Sequence, residues 1–246
     1  MYAIVTTDAD SPLPINYEEV EAVYNTTIPS NSIQTVAVVG ADGGEGVSSM
    51  AITLAIRAAR AKRQVLLLEL NMANPDLAAR FGLERQPWTV DIEPEDLPIV
   101  KLQNLDIFVL PAPLSTDSDW KFRDPKYLQT LLNHLRGYFE HIIIDCSPVN
   151  RRNQQNFPTA IIAGLCQHTL LMLLAGSTHE SQLIITKQLL DRHGANLCGS
   201  VINDRDNPGL ALELCRETYR MGPFFKKTGK ALRKWINDSR IINQRI

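Results

Sequence analysis

Apolar runs of four to six residues recur along the chain and alternate with longer amphipathic stretches. Runs that are apolar almost throughout are typical of strands buried on both faces of a sheet. The candidate strands are Thr35–Val39, Val65–Leu68, Leu105–Leu110, His141–Asp145, Thr169–Leu174 and Cys198–Asn203. The candidate helices are Asn16–Asn25, Val47–Lys62, Lys126–Tyr138 and Ser181–His193. This alternation predicts an α/β fold with a doubly wound, mostly parallel sheet and helices on both faces.

Length and charge suggest one large domain between two terminal segments of opposite charge. A chain of 246 residues that is 44% hydrophobic can bury one large core. Residues 1–32 carry five acidic residues and no basic one, whereas residues 222–246 carry seven basic residues and one acidic one. We predict an acidic N-terminal arm with a short helix over 1–32, a central domain over 33–221 and a basic tail over 222–246.

Several classes of protein are disfavoured by composition. No run approaches the ~20 apolar residues that span a bilayer, and the N-terminus lacks a basic segment followed by an apolar one. We therefore expect a cytoplasmic protein, with peripheral contact at the inner face of the membrane as an option. The four cysteines lack zinc-ligand spacing. The three tryptophans are dispersed and the net charge is −2, so no nucleic-acid partner is expected.

The basic tail over 222–246 has an amphipathic helical pattern. Its apolar residues near one helical face are Phe225, Leu232, Trp235, Ile236 and Ile242. Two interpretations stay open: a terminal helix docked on the protein's own sheet, or a contact with a membrane or partner. Gly229 weakens a free-standing helix by ~1 kcal/mol, which favours docking.

A glycine-rich segment over residues 40–46 joins the strand Thr35–Val39 to the helix Val47–Lys62. In such a loop, small residues let backbone N–H groups face phosphate oxygens. Gly43, Gly44 and Gly46 are therefore candidate nucleotide-binding residues. The strand before the loop and the helix after it favour this interpretation over a simple turn.

Two hydroxyls and one carboxylate complete the candidate site. Ser48 stands where a hydroxyl holds Mg²⁺ in phosphate-binding loops, with Ser49 beside it, and Asp145 ends a strand where a carboxylate would lie near the metal. A polar residue in a first helical turn and a capping aspartate are the structural alternatives. Val47 occupies the place of the lysine that contacts phosphates, so hydrolysis should suffer more than binding. We expect weak binding of ATP or ADP with Mg²⁺, or none.

From about Ile33 to Asn203, the chain resembles the bacterial tyrosine kinases of capsule and exopolysaccharide synthesis, within the MinD and ParA class of P-loop ATPases. The resemblance rests on Gly44-Glu45-Gly46, on Leu66–Pro75 followed by Phe81-Gly82-Leu83, and on Asp145-Cys146-Ser147-Pro148. Gly199–Asn203 resembles the segment whose asparagine contacts adenine in that family. The resemblance therefore makes Asn203 a candidate nucleotide contact.

The chain departs from the family pattern at charged positions. The loop lysine, two aspartates and an arginine of the family are replaced by Val47, Glu69, Asn71 and Ala73. The kinases also carry a C-terminal tyrosine cluster, whereas here only Tyr219 lies beyond residue 200. Tyr17–Asn25 occupies the place of an arginine-containing helix that joins subunits in the family. Together these changes predict a catalytically degenerate member with no catalytic residue of its own.

The resemblance implies a cytoplasmic adaptor or regulator of a membrane exopolysaccharide complex. Its partner would be a membrane polysaccharide co-polymerase or a secretion-complex protein, and self-assembly into a homo-oligomer is consistent with the family. Two alternatives stay open. One is a weak ATPase that uses Ser48, Glu69 and Asp145. The other is a MinD-like positioning protein for a secretion or pilus machine, which binds the membrane through its tail.

Overall fold

The structure is a computed structural model that describes residues 2–7, 9, 11–15, 17–29, 34–72, 74–114, 119–151 and 157–205. The strands are β1 (Ala3–Val5), β2 (Gln34–Gly40), β3 (Val65–Leu70), β4 (Val100–Leu102), β5 (Ile107–Leu110), β6 (His141–Cys146), β7 (His168–Leu174) and β8 (Leu197–Asn203). The helices are α1 (Glu18–Thr27), α2 (Val47–Arg60), α3 (Leu77–Phe81), α4 (Pro125–Leu135), α5 (Thr159–Gly164) and α6 (Glu180–Arg192).

These strands form one sheet in the order β1-β4-β5-β3-β6-β2-β7-β8. The central pairs run parallel, as does β1 with β4, and β4 runs antiparallel to β5. Only residues 103–106 join β4 to β5, which is too short for a parallel crossover. The predicted doubly wound, mostly parallel sheet is confirmed.

Two apolar layers cover the two faces of the sheet, because alternate strand residues point in opposite directions. Val36, Val38 and Ile143 belong to the layer that includes apolar residues of α1, α2 and α3. Ala37, Val39, Ile142 and Ile144 belong to the layer that includes residues of α4, α5 and α6. Helices on both faces are therefore confirmed.

All six candidate strands and all four candidate helices are present, with ends displaced by at most three residues. The elements missed from the sequence are β1, β4, α3 and α5, of three to six residues each. Segments this short show too few periods of hydrophobic alternation to be recognised. Of these, β1 is held by pairing with β4, and β4 is held by pairing with β5.

Two described parts of the acidic N-terminal arm over residues 1–32, β1 and α1, pack on the domain. β1 pairs with β4 at one edge of the sheet, and α1 buries Val20, Tyr24 and Thr27. Arg57 of α2 donates two hydrogen bonds, of 2.6 and 2.7 Å, to the Glu21 carboxylate, and its guanidinium lies 4.3 Å from the centre of the Tyr24 ring. The short helix expected in residues 1–32 therefore exists as α1, while the boundaries at residues 32 and 221 stay predictions.

The chain divides into two compact units. The first spans residues 1–173 and 178–203, and the second spans residues 174–177 and 204–246. The basic tail over 222–246 lies outside the described residues, so both interpretations of it stay untested. Within the described ranges, no helix combines the length and apolarity needed to cross a membrane.

Candidate functional site

The glycine-rich loop connects the buried strand β2 to α2 through three left-handed backbone positions. Gly43, Gly44 and Gly46 have φ angles of 102°, 90° and 93°. Only glycine adopts this region without steric cost, so the spacing of the three glycines follows from the path of the backbone. The first helical hydrogen bond joins the N–H of Met50 to the carbonyl of Gly46. The N–H groups of residues 47–49 thus precede the intrahelical ladder, which is the arrangement that suits an anion.

The loop is held from within by Glu45. Its buried carboxylate accepts hydrogen bonds from the N–H of Asp42 at 2.7 Å and from the N–H of Gly43 at 2.8 Å. A Cβ atom at Gly40 would lie 2.6 Å from Oε2 of Glu45, so glycine at that position makes room for the carboxylate. The sequence motif Gly44-Glu45-Gly46 therefore has a structural role in fixing the loop.

Val47, in the place of the family's lysine, is only 9% exposed and belongs to the apolar layer that contains α2. A Cβ at Gly40 would lie 3.0 Å from Cγ2 of Val47, which shows how closely its side chain is enclosed. The position supplies two methyl groups to the core and no positive charge. A phosphate at this loop would lack the cation that ordinarily neutralises it.

Asp145 lies at the end of β6, fully buried, with Glu69 as its neighbour in register on β3. Burial raises the pKa of Asp145 to about 8, the adjacent hydroxyl of Ser48 acts to lower the pKa, and the charge of Glu69 raises it further. Neither carboxylate oxygen of Asp145 has a partner at normal hydrogen-bond geometry in the described part of the chain. The predicted pair of Ser48 and Asp145 is therefore brought together.

Glu69 uses its carboxylate to connect backbone segments. Oε1 accepts from the N–H groups of Asp76 at 2.8 Å and Leu77 at 3.0 Å, and Oε2 accepts from the N–H of Ala112 at 3.0 Å. Burial raises the pKa of Glu69, and these three hydrogen bonds oppose that rise. Glu69 thus joins the ends of β3 and β5 to the start of α3.

Asn71 remains in the site as a neutral group. Its Oδ1 accepts from the N–H of Asn74 at 3.3 Å and from the Ser147 hydroxyl at 3.4 Å. An amide can ligate or accept a hydrogen bond, but it cannot carry the charge of the aspartate found there in the family. Ala73 lies outside the described residues.

Asn203 and Ser49 border the loop in different ways. The Nδ2 atom of Asn203 donates to the carbonyl of Glu45 at 3.0 Å, and a Cβ at Gly46 would lie 2.8 Å from the same nitrogen. The carbonyl of Ser49 accepts from the Thr53 hydroxyl at 2.8 Å, inside α2. Asn203 thus stands against the loop, and its contact with adenine stays a prediction.

Asp76 joins the site although its sequence position gave no prediction of it. Carboxylate oxygens of Glu69, Asp76 and Asp145 all lie within 4.8 Å of one another. One oxygen of Asp76 accepts from Nε of Arg80 at 2.7 Å, and the other is buried with no hydrogen-bond partner. The available signal was only that Asp76 follows Glu69 by seven residues; the structure places it immediately before α3.

The residues present fit Mg²⁺ better than they fit a triphosphate. Carboxylate oxygens of Glu69 and Asp76 lie within 4.8 Å of an oxygen of Asp145, and oxygen atoms of this kind suit a hard cation. The loop offers backbone N–H groups but an apolar side chain at Val47. A separate cavity of about 340 Å³, lined by Asp91, Glu93 and residues of α4, shares no residue with the loop.

Comparisons with known proteins agree with this geometry. No family model matches the chain. The tyrosine-protein kinase CpsD of Streptococcus pneumoniae is 24% identical over 190 residues, covering 74% of this chain and 81% of that protein. The kinase domain of the Escherichia coli tyrosine kinase ETK superposes with a TM-score of 0.63 at 15% identity, over 75% of this chain and 72% of that one. The Pyrococcus furiosus cell-division ATPase MinD gives a TM-score of 0.57 at 20% identity, over 70% and 73%.

The sheet order, the loop between β2 and α2 and the carboxylate at the end of β6 define an α/β P-loop NTPase fold of the MinD type. Within that class, the chain is similar to the bacterial tyrosine kinases, in sequence to CpsD and in fold to the kinase domain of ETK. The resemblance found in the sequence is thereby confirmed.

Proposed function

We propose that this protein is a catalytically degenerate member of the family that works by binding, as an adaptor or regulator of a membrane exopolysaccharide synthesis or export complex. The single observation that carries the proposal is Val47, which is packed in the core where the family places its phosphate-contacting lysine. A missing charge at this point weakens transition-state stabilisation more than it weakens the fold.

The remaining acidic motif supports the same proposal. Glu69 is engaged with three backbone N–H groups, and Asn71 is neutral. Neither group is arranged to take a proton from an attacking hydroxyl. The site therefore keeps the parts that shape the loop and lacks those that perform phosphoryl transfer.

Nucleotide binding in this proposal is weak. The N–H groups at the start of α2 can receive a phosphate, Ser48 and Asp145 can hold Mg²⁺, and Asn203 lies against the loop where it can meet a base. Mg²⁺, when bound, would neutralise phosphate charge that Val47 leaves unpaired. ATP or ADP would then act as a regulatory ligand.

The proposed partner is the cytoplasmic part of a membrane polysaccharide co-polymerase, or a protein of a secretion complex. The proposal rests on the similarity to the bacterial tyrosine kinases, since adaptors that lose chemistry can keep the surfaces of their catalytic relatives. A weak ATPase is the second candidate. The pairing of Ser48 with the buried Asp145 favours it, because that arrangement suits a catalytic metal.

Turnover and nucleotide titration of the purified protein test the proposal. We expect Mg-ATP hydrolysis and tyrosine phosphorylation far below ordinary rates of about 1 per second. Val47→Lys should tighten ATP binding in calorimetry by restoring the phosphate-contacting charge, if the fixed loop admits the longer side chain.

Val47→Met is the matched control, because it keeps the length of lysine without its charge and should bind ATP no better than the wild-type protein. Turnover at kinase-like rates by the wild-type protein would refute degeneracy. Equal gains for the lysine and methionine variants would show that charge is not what the loop lacks.

A further inference from the structure

The segment that follows β6 runs alongside the glycine-rich loop and is hydrogen-bonded to it. The N–H of Val149 donates to the carbonyl of Gly40 at 2.9 Å, and the N–H of Asn150 donates to the carbonyl of Ala41 at 2.9 Å. The side-chain amide of Asn150 also donates to a backbone carbonyl of α6 at 3.3 Å. These bonds fix the position of the next residue, Arg151, beside the loop.

Arg151 brings its guanidinium against the loop at Gly43. A Cβ atom at Gly43 would lie 3.7 Å from Cζ and 3.8 Å from Nη1 of Arg151, and 3.1 Å from Cγ of Pro148. Glycine at this position therefore leaves room for the segment after β6 to approach the loop backbone closely. Arg151 is exposed, so a ligand that reaches the loop from solvent can contact the same guanidinium.

The charge of Arg151 matters because the neighbouring charged side chains of the site are acidic. Asp42 and Glu45 belong to the loop, Asp145 ends β6, and Val47 supplies no charge. A phosphate chain carries several negative charges, and binding sites for it ordinarily add a cation to the backbone N–H groups. A guanidinium is always charged and presents its N–H donors as a planar fork that matches phosphate oxygens. Arg151 therefore has the charge that the loop itself lacks.

We propose that Arg151 is a phosphate-binding residue of this protein, which supplies from the segment after β6 the positive charge that the family takes from its loop lysine. The ligand is the phosphate chain of a nucleoside diphosphate or triphosphate, seated on the N–H groups at the start of α2. This inference rests on the proposed binding of nucleotide and identifies the residue that supports it. Because the charge comes from a different element, Val47 can remain packed in the core.

The test is a calorimetric titration of the full chain with ADP in the presence of Mg²⁺, since ADP binding can be measured independently of turnover. Arg151→Gln should weaken ADP binding by about tenfold or more, because it removes a charged hydrogen-bond donor. Arg151→Lys should recover part of this loss, because it restores the charge without the planar fork. Thermal unfolding of each variant checks that it is folded.

Arg60→Gln is the matched control, because it removes the same charge from the end of α2 opposite the loop. Arg60 is exposed and lies thirteen residues along α2 from Val47, which at about 1.5 Å per residue is roughly 20 Å. This variant should bind ADP as the wild-type protein does. A parallel titration with inorganic tripolyphosphate should show a similar loss in Arg151→Gln, because the contact is with phosphate and not with the nucleoside.

Four results would overturn the role of Arg151. One is the absence of ADP binding to the wild-type protein at several millimolar. Another is equal ADP affinity of the wild-type protein and a folded Arg151→Gln variant. The third is an equal loss in Arg60→Gln, which would assign the effect to net charge. The fourth is tripolyphosphate binding that does not differ between the wild-type protein and Arg151→Gln.

Failure of the proposed function would be distinguishable from each of these results. Kinase-like turnover by the wild-type protein would refute degeneracy, and the comparison of ADP affinities would still report on Arg151. Equal ADP affinities in a protein without turnover would overturn only the role of Arg151.

Discussion

At the scale of single residues, Asp145 is expected to give the protein a distinctive dependence of stability on pH. Its pKa is about 8 in the folded state, against about 3.9 for an unfolded aspartate. The stability that this group contributes is therefore complete below pH ~4 and is lost as the pH rises towards 8. The free energy of unfolding should fall across this window, with a slope of up to about 1.4 kcal/mol per pH unit from this group.

Asp145→Asn should remove that slope and gain stability relative to the wild-type protein as the pH approaches 8. Denaturant unfolding at several pH values between 5 and 8, with a chelator present, measures the free energy of unfolding of both proteins. Asp106→Asn is the control, because Asp106 is an exposed aspartate at φ 55°, a conformation that asparagine tolerates. Parallel curves for the wild-type protein and Asp145→Asn would contradict the assignment of the slope to this residue.

The loop shows how a single side chain can fix a backbone. Glu45 was significant in the sequence only as part of a family motif, and the structure gives its carboxylate two backbone N–H groups to hold. Gly40, one residue before the loop turns, is small because that carboxylate fills the space beside it. The motif is thus explained by packing and hydrogen bonding, independently of any reaction.

At the scale of elements, α1 is the clearest case of a helix held by tertiary contacts. Its ten residues have three acidic side chains in the first turn and no basic residue in the last turn. Isolated helices of this length are marginal in water. Burial of Tyr24 against α2 and the bidentate contact between Glu21 and Arg57 supply the missing stability.

Tyr24→Ala should therefore lower the free energy of unfolding by about 3 kcal/mol, since it removes a buried aromatic ring and leaves a cavity. Tyr17→Ala is the matched control, because Tyr17 is 55% exposed whereas Tyr24 is 8% exposed, and should change stability by no more than about 0.5 kcal/mol. Denaturant unfolding of the two variants and the wild-type protein measures these changes in the free energy of unfolding. Equal effects of the two variants would mean that α1 does not stabilise the domain through its buried face.

At the scale of the whole molecule, the opposite charges of the two ends bear on where the protein binds. The tail over 222–246 lies outside the described residues, so its role is a prediction from charge and pattern. If it binds an anionic membrane, each basic residue near the surface contributes about 1 kcal/mol. Changing Lys226, Lys227 and Lys230 to glutamine should then release the protein from anionic vesicles in co-sedimentation, and added salt should have the same effect.

If the tail docks on its own protein instead, those changes should leave vesicle binding unaltered, and Trp235→Ala should destabilise the fold by about 3 kcal/mol. A triple change of Lys62, Lys101 and Lys126 to glutamine controls for net charge. A chain ending at Met221 with unchanged lipid binding, oligomeric state and thermal stability would leave the tail with neither role. Vesicle binding that required nucleotide would favour the MinD-like positioning role.

The sequence by itself determined the elements whose signals are local. Buried parallel strands such as β2, β3 and β6 are apolar along most of their length, and this can be recognised from the local sequence. The spacing of Gly43, Gly44 and Gly46 indicated the loop, because only glycine adopts left-handed backbone positions without steric cost. Fold class and the position of the loop followed from these signals.

Only the tertiary structure decided which distant residues meet. Sequence order places Asp76 far from Asp145, and the pairing of β3 with β6 brings their carboxylates together. The same long-range packing placed α1 of the N-terminal arm on α2 and put Val47 in the core. These contacts depend on strand order and on which face each side chain takes, and neither property is local, so no window of sequence could contain them.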